Sequence, residues 1–530
     1  MSTGTHNLAL EFARMRAAAP ERVALVVDGA RHDYRALGDF AGRVAAWLRP
    51  LGAGDRDAAR RELVVGILAA RSVDAIGGIL GTLWAGATYV PLSTKLPEDR
   101  LVTLLERVPL DALIVDGNGA ASLSPRVRAL LPRAVLAPSV ELDVDVAAVT
   151  GPAAFAALTP LPEPLPVAAG RAAYLLFTSG TTGVPKAVVV TVANVAAYLR
   201  GINGLYRFTP EDRISQFAEI SFDFSVHEMF VAWGAGASLW VVPENQRLAP
   251  HQFIQHNAIT VWSSVPSVVS MLQRLKLLRP QLFPSLRLTL FSGDALPAAA
   301  AQAWQAAAPS SRIDNHFGAT ELTVMCTIAS YTGPACADAR GMVPVGVAYP
   351  EMRAAVIADD GSFAPRGVAG ELAFSGPQVT AGYRGEPELT ARRYPHKHHP
   401  TWGDTRWYLT GDLAVEDASG TLHHLGRVDN QVKVRGYRIE LEDVESHLRE
   451  VTGCELVSVL AWPLEAGTAT GLVAFVTACA LGSDAIKEAL KQRLPSYMVP
   501  KDVHHIDEMP LSVNGKVDRK RLRQLLEPST

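Results

Sequence analysis

Between Ser238 and Asn315, short apolar runs alternate with stretches long enough to be helices. In order they are SLWVV, a helical stretch near His251, ITVWSS, a helix from Pro266 to Leu278, RLTLFSG, and an alanine-rich helix from Leu296 to Ala307. Strands separated by helices of about ten residues belong in a parallel sheet with both faces covered. This alternation rules out an all-β or all-helical chain and predicts an α/β layer.

The first 150 residues repeat the pattern, with helical periodicity over Tyr34 to Leu48 and apolar runs at Leu63 to Leu68 and Ala112 to Val115. Pro152 to Pro166 is rich in Ala, Pro and Leu without periodicity, which predicts a linker or surface loop. Beyond Gly341 the text changes to glycine-punctuated short strands: MRAAVIADDG, GVAGELAFSG and GTLHHLGRVDNQVKVRGYRIE read as hairpins of a small β-rich subdomain. The last hundred residues predict a separate α+β unit joined near Asp429. Its expected elements are a helix from Leu441 to Arg449, strands around Val457 and Val473, and a helix from Asp484 to Leu494.

Layers of this kind need a large core, and 48% of the 530 residues are hydrophobic against 19% charged, too apolar for a mostly disordered chain. Fifty basic and fifty-three acidic side chains leave a net charge of −3 with no long basic run, so nucleic acid is not an expected partner. Cys326, Cys336, Cys454 and Cys479 are too widely spaced for a C-x-x-C pair or a zinc knuckle and read as reduced thiols of a cytoplasmic protein. MSTGTHNLALEFARMR at the N-terminus lacks the apolar run of a secretory signal. The apolar stretch from Leu63 to Leu92 is broken by Arg71 and Asp74, short of the roughly 18 apolar residues that a membrane helix needs, so no membrane is expected. His396, Lys397, His398 and His399 sit among prolines without helical spacing and are expected to form a solvated loop rather than a metal site.

The sharpest local signal is YLLFTSGTTGVPKAVVV, from Tyr174 to Val190. An apolar strand opens into a run of Ser, Thr and Gly, followed by a Pro-Lys step and a second apolar strand. Glycines such as Gly180 and Gly183 let backbone amides converge on phosphate; the hydroxyls of Thr178, Ser179, Thr181 and Thr182 add donors, and Lys186 adds a positive charge. The spacing is not that of a Walker A loop, and a strand rather than a helix follows. An ordinary Gly/Ser hairpin has the same composition, so the loop alone leaves both readings open.

Here the chain resembles the adenylate-forming superfamily, specifically the free-standing amino-acid adenylation domains of the nonribosomal peptide synthetase type. The resemblance continues in the family's order through WAGATYVPL from Trp84, FDFS from Phe222, NHFGATE from Asn315, GELAFSG from Gly370, YLTGDL from Tyr408, GRVDNQVKVRGYRIE from Gly426, LPSYMVP from Leu494 and NGKVDR from Asn514. Three departures stand out. Ala187 replaces the usual glycine after the lysine; Phe317 and Ala319 replace the tyrosine and proline of the family's Tyr-Gly-Pro-Thr-Glu; Ser93 stands where an acidic residue is usual. Phe317 keeps the ring that stacking on adenine requires.

The resemblance implies a large N-terminal domain, residues 1–428, of parallel α/β sheets plus a small β-barrel, and a mobile α+β C-terminal domain, residues 429–530. It implies two half-reactions with ATP and Mg2+. A carboxylate attacks the α-phosphate and releases pyrophosphate, and the acyl adenylate then passes to a thiol. Both reactants are anionic, so catalysis consists mostly of positioning and charge neutralisation. On the matching positions, Lys516 is the main catalytic cation, Lys186 serves the polyphosphate, Thr320 bonds the α-phosphate and Glu321 holds magnesium. Asn315, Phe317 and Gly318 belong to the nucleotide site, and Asp412 and Arg427 to the ribose. Asp429 is the hinge, with Lys433 and Gly436 near the thiol.

Asp223 marks an amino acid as the substrate, because relatives that activate amino acids pair this carboxylate with the substrate ammonium. Phe224, His227, Ser263, Leu290, Ser292, His316, Val324 and Met325 fall around the side-chain pocket. Two histidines and two serines there favour a small or medium polar side chain such as threonine, serine or aspartate, with alanine, proline and β-amino acids still open. The sequence ends at Thr530 without a carrier segment, so the expected acceptor is the phosphopantetheine of a separate carrier protein, in natural-product biosynthesis. The alternatives are an acyl-coenzyme A ligase on the same fold and a non-catalytic adenylate-binding protein.

Overall fold

The computed structural model describes residues 6–52, 62–179, 185–454, 456–465, 468–477, 479–511 and 517–527. The chain divides into two compact units. The larger comprises Met1–Thr94, Leu105–Phe177 and Ala187–Val428, and the smaller Lys95–Leu104, Thr178–Lys186 and Asp429–Thr530.

In the larger unit, one sheet runs in the order Val347–Ala348, Thr327–Ser330, Arg312–Asn315, Leu288–Phe291, Val261–Ser264, Arg213–Gln216, Ser238–Val241, Val23–Val27 and Ala30–Asp33. From Arg312–Asn315 through Val23–Val27 every pairing is parallel, as the alternation predicts. The connecting helices Phe224–Gly234, His251–His256, Ser267–Arg274 and Ala298–Ala307 supply the covering layers. A second sheet pairs Ala172–Thr178, Thr88–Leu92, Val64–Leu68, Ala112–Val115, Ala134–Leu136 and Ala148–Thr150 in parallel. Helix Tyr34–Leu48 begins where the Asp33 side chain accepts from the Ala36 N–H. It buries Leu37, Ala41, Val44, Ala45 and Leu48, one stripe at helical spacing. Phe12, Tyr34, Trp84 and Trp233 fill the core beneath it.

Several expectations are corrected. The stretch Pro152 to Pro166 contains a short helix, Pro152–Ala156, because Phe155 packs its ring against Phe40 and gives the segment a buried anchor. The helix expected to reach Leu278 ends at Arg274, and the backbone is left-handed by Lys276. His396–His399 is a strand paired with Gly403–Arg406, not a loop; alternate side chains turn inward and the His399 ring stacks on Trp402 at 4.0 Å. The expected barrel is a four-stranded antiparallel sheet, Arg353–Ile357, Gly370–Ser375, Tyr408–Glu416 and Leu422–Arg427. Its outer strands are not paired with each other, since four short strands are too few to close.

In the smaller unit, Gln431–Val434 and Tyr437–Glu440 form a hairpin whose two-residue turn, Arg435 and Gly436, has positive φ at both positions (53° and 83°). This is the turn that matches strand twist, and it favours glycine at its second place. Helices Leu441–Thr452 and Ser483–Lys491 bury Val444, Leu448, Ile486 and Leu490 in a core shared with strands Val457–Ala461 and Leu472–Thr477. The architecture is thus a large domain of parallel and mixed sheets with a smaller α+β domain. Among the described residues no helix is long and apolar enough to cross a membrane, and the four cysteines are free.

Candidate active site

Asp223 stands at the head of helix Phe224–Gly234, in the loop that follows strand Arg213–Gln216. The Thr320 hydroxyl and the N–H groups of Phe224 and Val324 face its carboxylate. Burial is the main influence on it and, helped by the charge of Glu321, pushes its pKa up to about 7. Among the described residues no cation pairs with it. Sequence-distant Asp223, Thr320 and Val324 are therefore one cluster.

Thr320 and Glu321 lie on a tight turn, Thr320–Leu322, beyond strand Arg312–Asn315. The chain then passes through Thr323 and Val324, both left-handed (φ 57° and 73°), a conformation that β-branched residues adopt only under constraint. The constraint is visible. Thr323 donates to the Gln378 carbonyl at 2.7 Å, and the Gln378 amide donates to the Met325 carbonyl at 2.8 Å and the Leu322 carbonyl at 3.2 Å. Gly318 is obligatory here, because a Cβ would stand 1.9 Å from the Val324 carbonyl oxygen. Tyr383 donates its hydroxyl to Glu321 Oε1 at 2.9 Å, and the Thr380 N–H holds the Glu321 carbonyl at 3.0 Å. Sequence reasoning missed Gln378 and Tyr383; their only signal was their place a few residues after GELAFSG.

Asp412 is buried on strand Tyr408–Glu416, directly opposite Arg427. Arg427 Nη1 donates to Asp412 Oδ2 at 3.0 Å, and His424 Nε2 lies 2.9 Å from Oδ1. His424 was also missed. Its ring centroid is 6.2 Å from that of Phe317, which stacks on Phe374 at 5.9 Å. Phe317 is thus brought beside the Asp412 cluster. Asn315 gives its amide to the Val343 and Pro344 carbonyls, so its nitrogen ties strand to loop.

The pocket residues are deeply enclosed. His227 Nδ1 lies 2.7 Å from the Tyr198 hydroxyl and Nε2 3.4 Å from Ser263 Oγ. His316 Nδ1 donates to the Thr327 carbonyl at 2.9 Å and lies 2.8 Å from the Tyr349 hydroxyl; its Nε2 is 2.9 Å from that of Tyr206. Burial lowers His227 to about 3 and His316 to about 4, so both are neutral near pH 7. Both histidines thus spend their ring nitrogens within the fold, and Ser263 faces His227.

A charged cluster braces the loop before Asp223. Arg71 reaches Glu244 at 3.0 Å and Glu219 at 4.0 Å, Arg247 pairs with Glu219, and Glu228 accepts from the Phe217 and Ala218 N–H groups. Arg71 and Glu228 are buried. Replacing Arg71 with methionine should cost about 1–3 kcal/mol, because the charge-assisted contacts of a buried guanidinium are lost while exposed Glu244 rehydrates and Glu219 keeps Arg247; a lowered urea midpoint would register it, and an unchanged midpoint would show the cluster to be dispensable.

In the smaller unit, Lys186 Nζ lies 4.0 Å from Glu440 Oε1, and Ser179 Oγ donates to the Arg438 carbonyl at 3.1 Å. Thr178 ends strand Ala172–Thr178. Asp429 accepts from the Gln431 N–H at 3.2 Å, Lys433 lies opposite Arg438, and Gly436 is in the hairpin turn. Gly180, Thr181, Thr182, Gly183 and Lys516 lie outside the described residues.

A family model described as AMP-binding enzyme matches residues 12–384, and one described as AMP-binding enzyme C-terminal domain matches residues 443–516. Tyrocidine synthase 3 of Brevibacillus parabrevis is 34% identical over 97% of this chain, which spans 7% of that protein. Other curated relatives are likewise much longer, the chain spanning 21% of the dimodular nonribosomal peptide synthase of Bacillus subtilis (strain 168), which is 32% identical over 97% of this chain. Among solved structures, the Vibrio cholerae adenylation domain AlmE, in complex with glycyl-adenosine-5'-phosphate, superposes with a TM-score of 0.86 at 30% identity, covering 99% of this chain and 98% of that one.

Proposed function

Because the chain belongs to the AMP-binding enzyme family, we propose that it joins the carboxylate of an amino acid to the α-phosphate of ATP, releases pyrophosphate, and passes the aminoacyl group to the phosphopantetheine thiol of a carrier protein. The observation that carries the amino-acid reading is Asp223, an enclosed carboxylate with hydrogen-bond donors around it and no cation among the described residues. Such a group is costly until an ammonium arrives, and a substrate lacking the ammonium leaves that cost unrelieved. AlmE was solved with a glycyl adenylate, which supports the same reading.

On this reading Thr320, sharing its hydroxyl with Asp223, bonds the α-phosphate beside the attacking carboxylate. Asp412, held by Arg427 and His424, accepts from the ribose hydroxyls, with Phe317 against the base. Lys186 and the loop from Thr178 to Gly183 neutralise and hold the polyphosphate. Lys516 stabilises the charge that develops between carboxylate and phosphate. Asp429, Lys433 and Gly436 serve the thiol-transfer half-reaction. Among the described residues no group of three or more His, Cys, Asp and Glu side chains could hold a metal alone. Glu321, a single buried carboxylate fixed by Tyr383, suits Mg2+, which takes few protein oxygens and completes its shell with phosphates and water. When bound, the ion would offset phosphate charge.

ATP–pyrophosphate exchange with amino acids and their deaminated analogues tests this. Alanine should support exchange and propionate should not; equal rates would point instead to a ligase of plain carboxylic acids. The pH dependence follows from Asp223. Below its pKa the carboxyl is neutral and loses the ion pair, while amino groups stay charged to about pH 8. KM for the amino acid should therefore fall, by up to about tenfold per unit, as pH rises toward 7, and then level. The nearby Glu321 adds negative charge, and Tyr89, Tyr174 and Tyr198 remain neutral throughout, their pKa values raised by burial. Asp223→Asn should flatten the profile; a slope surviving that change would assign it to another group.

A further inference from the structure

The side-chain end of this site is already filled by protein. His227, Ser263, Leu290 and Met325 have no exposed surface at all, and His316, Val324 and Ser292 keep only 2%, 4% and 7%. A void able to take a branched or aromatic side chain admits water-sized spheres and leaves exposed area on its lining atoms, and these linings show almost none. Asp223 and Phe224, by contrast, keep partial exposure. Space is thus open at the end that would meet the ammonium and Cα, and closed beyond it.

What closes it is two tyrosine–histidine assemblies. Tyr198 holds His227, whose ring stacks on Phe224 with centroids 5.7 Å apart and whose far nitrogen faces Ser263. Behind them, Tyr349 lies over Tyr198 and holds His316, which Tyr206 couples to Asp314 and Arg312. Tyr198, Tyr349 and Tyr206 are buried. Each histidine is satisfied at both nitrogens, so displacing either leaves buried polar atoms without partners. Packing of that kind resists an intruding side chain rather than yielding to it.

We infer that the substrate is an amino acid with a side chain of at most two heavy atoms, glycine or alanine foremost and serine at the upper limit, and that the Tyr198–His227 pair sets this limit. The inference rests on the amino-acid reading above and narrows it, since satisfied histidines give no preference to a polar side chain.

Exchange kinetics across glycine, alanine, serine, threonine, valine, leucine and phenylalanine test it in the parent enzyme. Glycine or alanine should exceed leucine and phenylalanine in kcat/KM by about 100-fold or more. His227→Ala should shift the valine-to-alanine ratio of kcat/KM upward by about tenfold, with most of the change in KM. Tyr198→Phe keeps the ring, and so should retain the size limit while weakening its sharpness. If an amino acid with three or more side-chain heavy atoms is the best substrate of the parent, the size limit is overturned while the amino-acid reading stands. If deaminated acids support exchange and no amino acid does, the broader reading fails and this inference with it.

Discussion

Lys516→Ala is expected to reduce ATP–pyrophosphate exchange by about 100- to 1000-fold, the loss that follows removal of one preorganised group at developing charge. A carboxylate approaching a triphosphate must overcome repulsion between anions. A cation 4 Å from such a charge contributes about 1 kcal/mol in bulk water but about 4 kcal/mol at an effective dielectric of 20, so the lysine matters only in a site closed to solvent. ATP affinity, measured by calorimetry on the same variant, should change by no more than a few-fold. The contacts proposed to hold the nucleotide in its ground state involve Asp412, Arg427, Phe317 and the phosphate loop instead. Parent-like exchange in the variant would remove Lys516 from the chemistry.

Asp223→Asn should cost about 100- to 4000-fold in kcat/KM for the amino acid. Breaking a buried ion pair by neutralising one partner costs about 3–5 kcal/mol, and each 1.4 kcal/mol is a factor of ten. The diagnostic readout is the ratio of alanine to propionate. Loss of fold or of the Thr320 contact would lower both together, whereas loss of an ammonium partner lowers alanine alone and brings the ratio toward unity. An unchanged ratio would mean that Asp223 is a structural acceptor for Thr320, Phe224 and Val324 and nothing more.

How much of this could be read from residues alone differs by position. The parallel pairing of Val261–Ser264, Leu288–Phe291 and Arg312–Asn315 follows from alternation, because crossover helices of that length leave few other solutions, whereas the place of Val23–Val27 beside Ser238–Val241 was not legible. Asp412 and Arg427 are close in sequence, on adjacent strands of a hairpin, and a hairpin register brings them opposite each other. Gln378, Tyr383 and His424 were not legible. Each is a common residue type whose importance lies in a partner elsewhere, Gln378 against the left-handed turn at Thr323, Tyr383 against Glu321, and His424 against Asp412 and Phe317. The histidine-bearing stretch His396–His399 misled for a related reason: its proline neighbours suggest a loop, while pairing with Gly403–Arg406 and stacking on Trp402 decide for a strand.

The pocket shows the same division. Residue types at His227, Ser263, Ser292 and His316 suggested hydrogen bonds for a polar substrate, yet a hydrogen-bonding group offers nothing once its partners are supplied by the protein, as Tyr198, Tyr206, Tyr349 and Thr327 do for the histidines. Local order along the chain is enough to set strand, helix and turn chemistry, because hydrophobic period and backbone preference act over a few residues. Which of those groups remain available to a ligand is a matter of who occupies the other side of each hydrogen bond, and that is decided only when distant segments pack together.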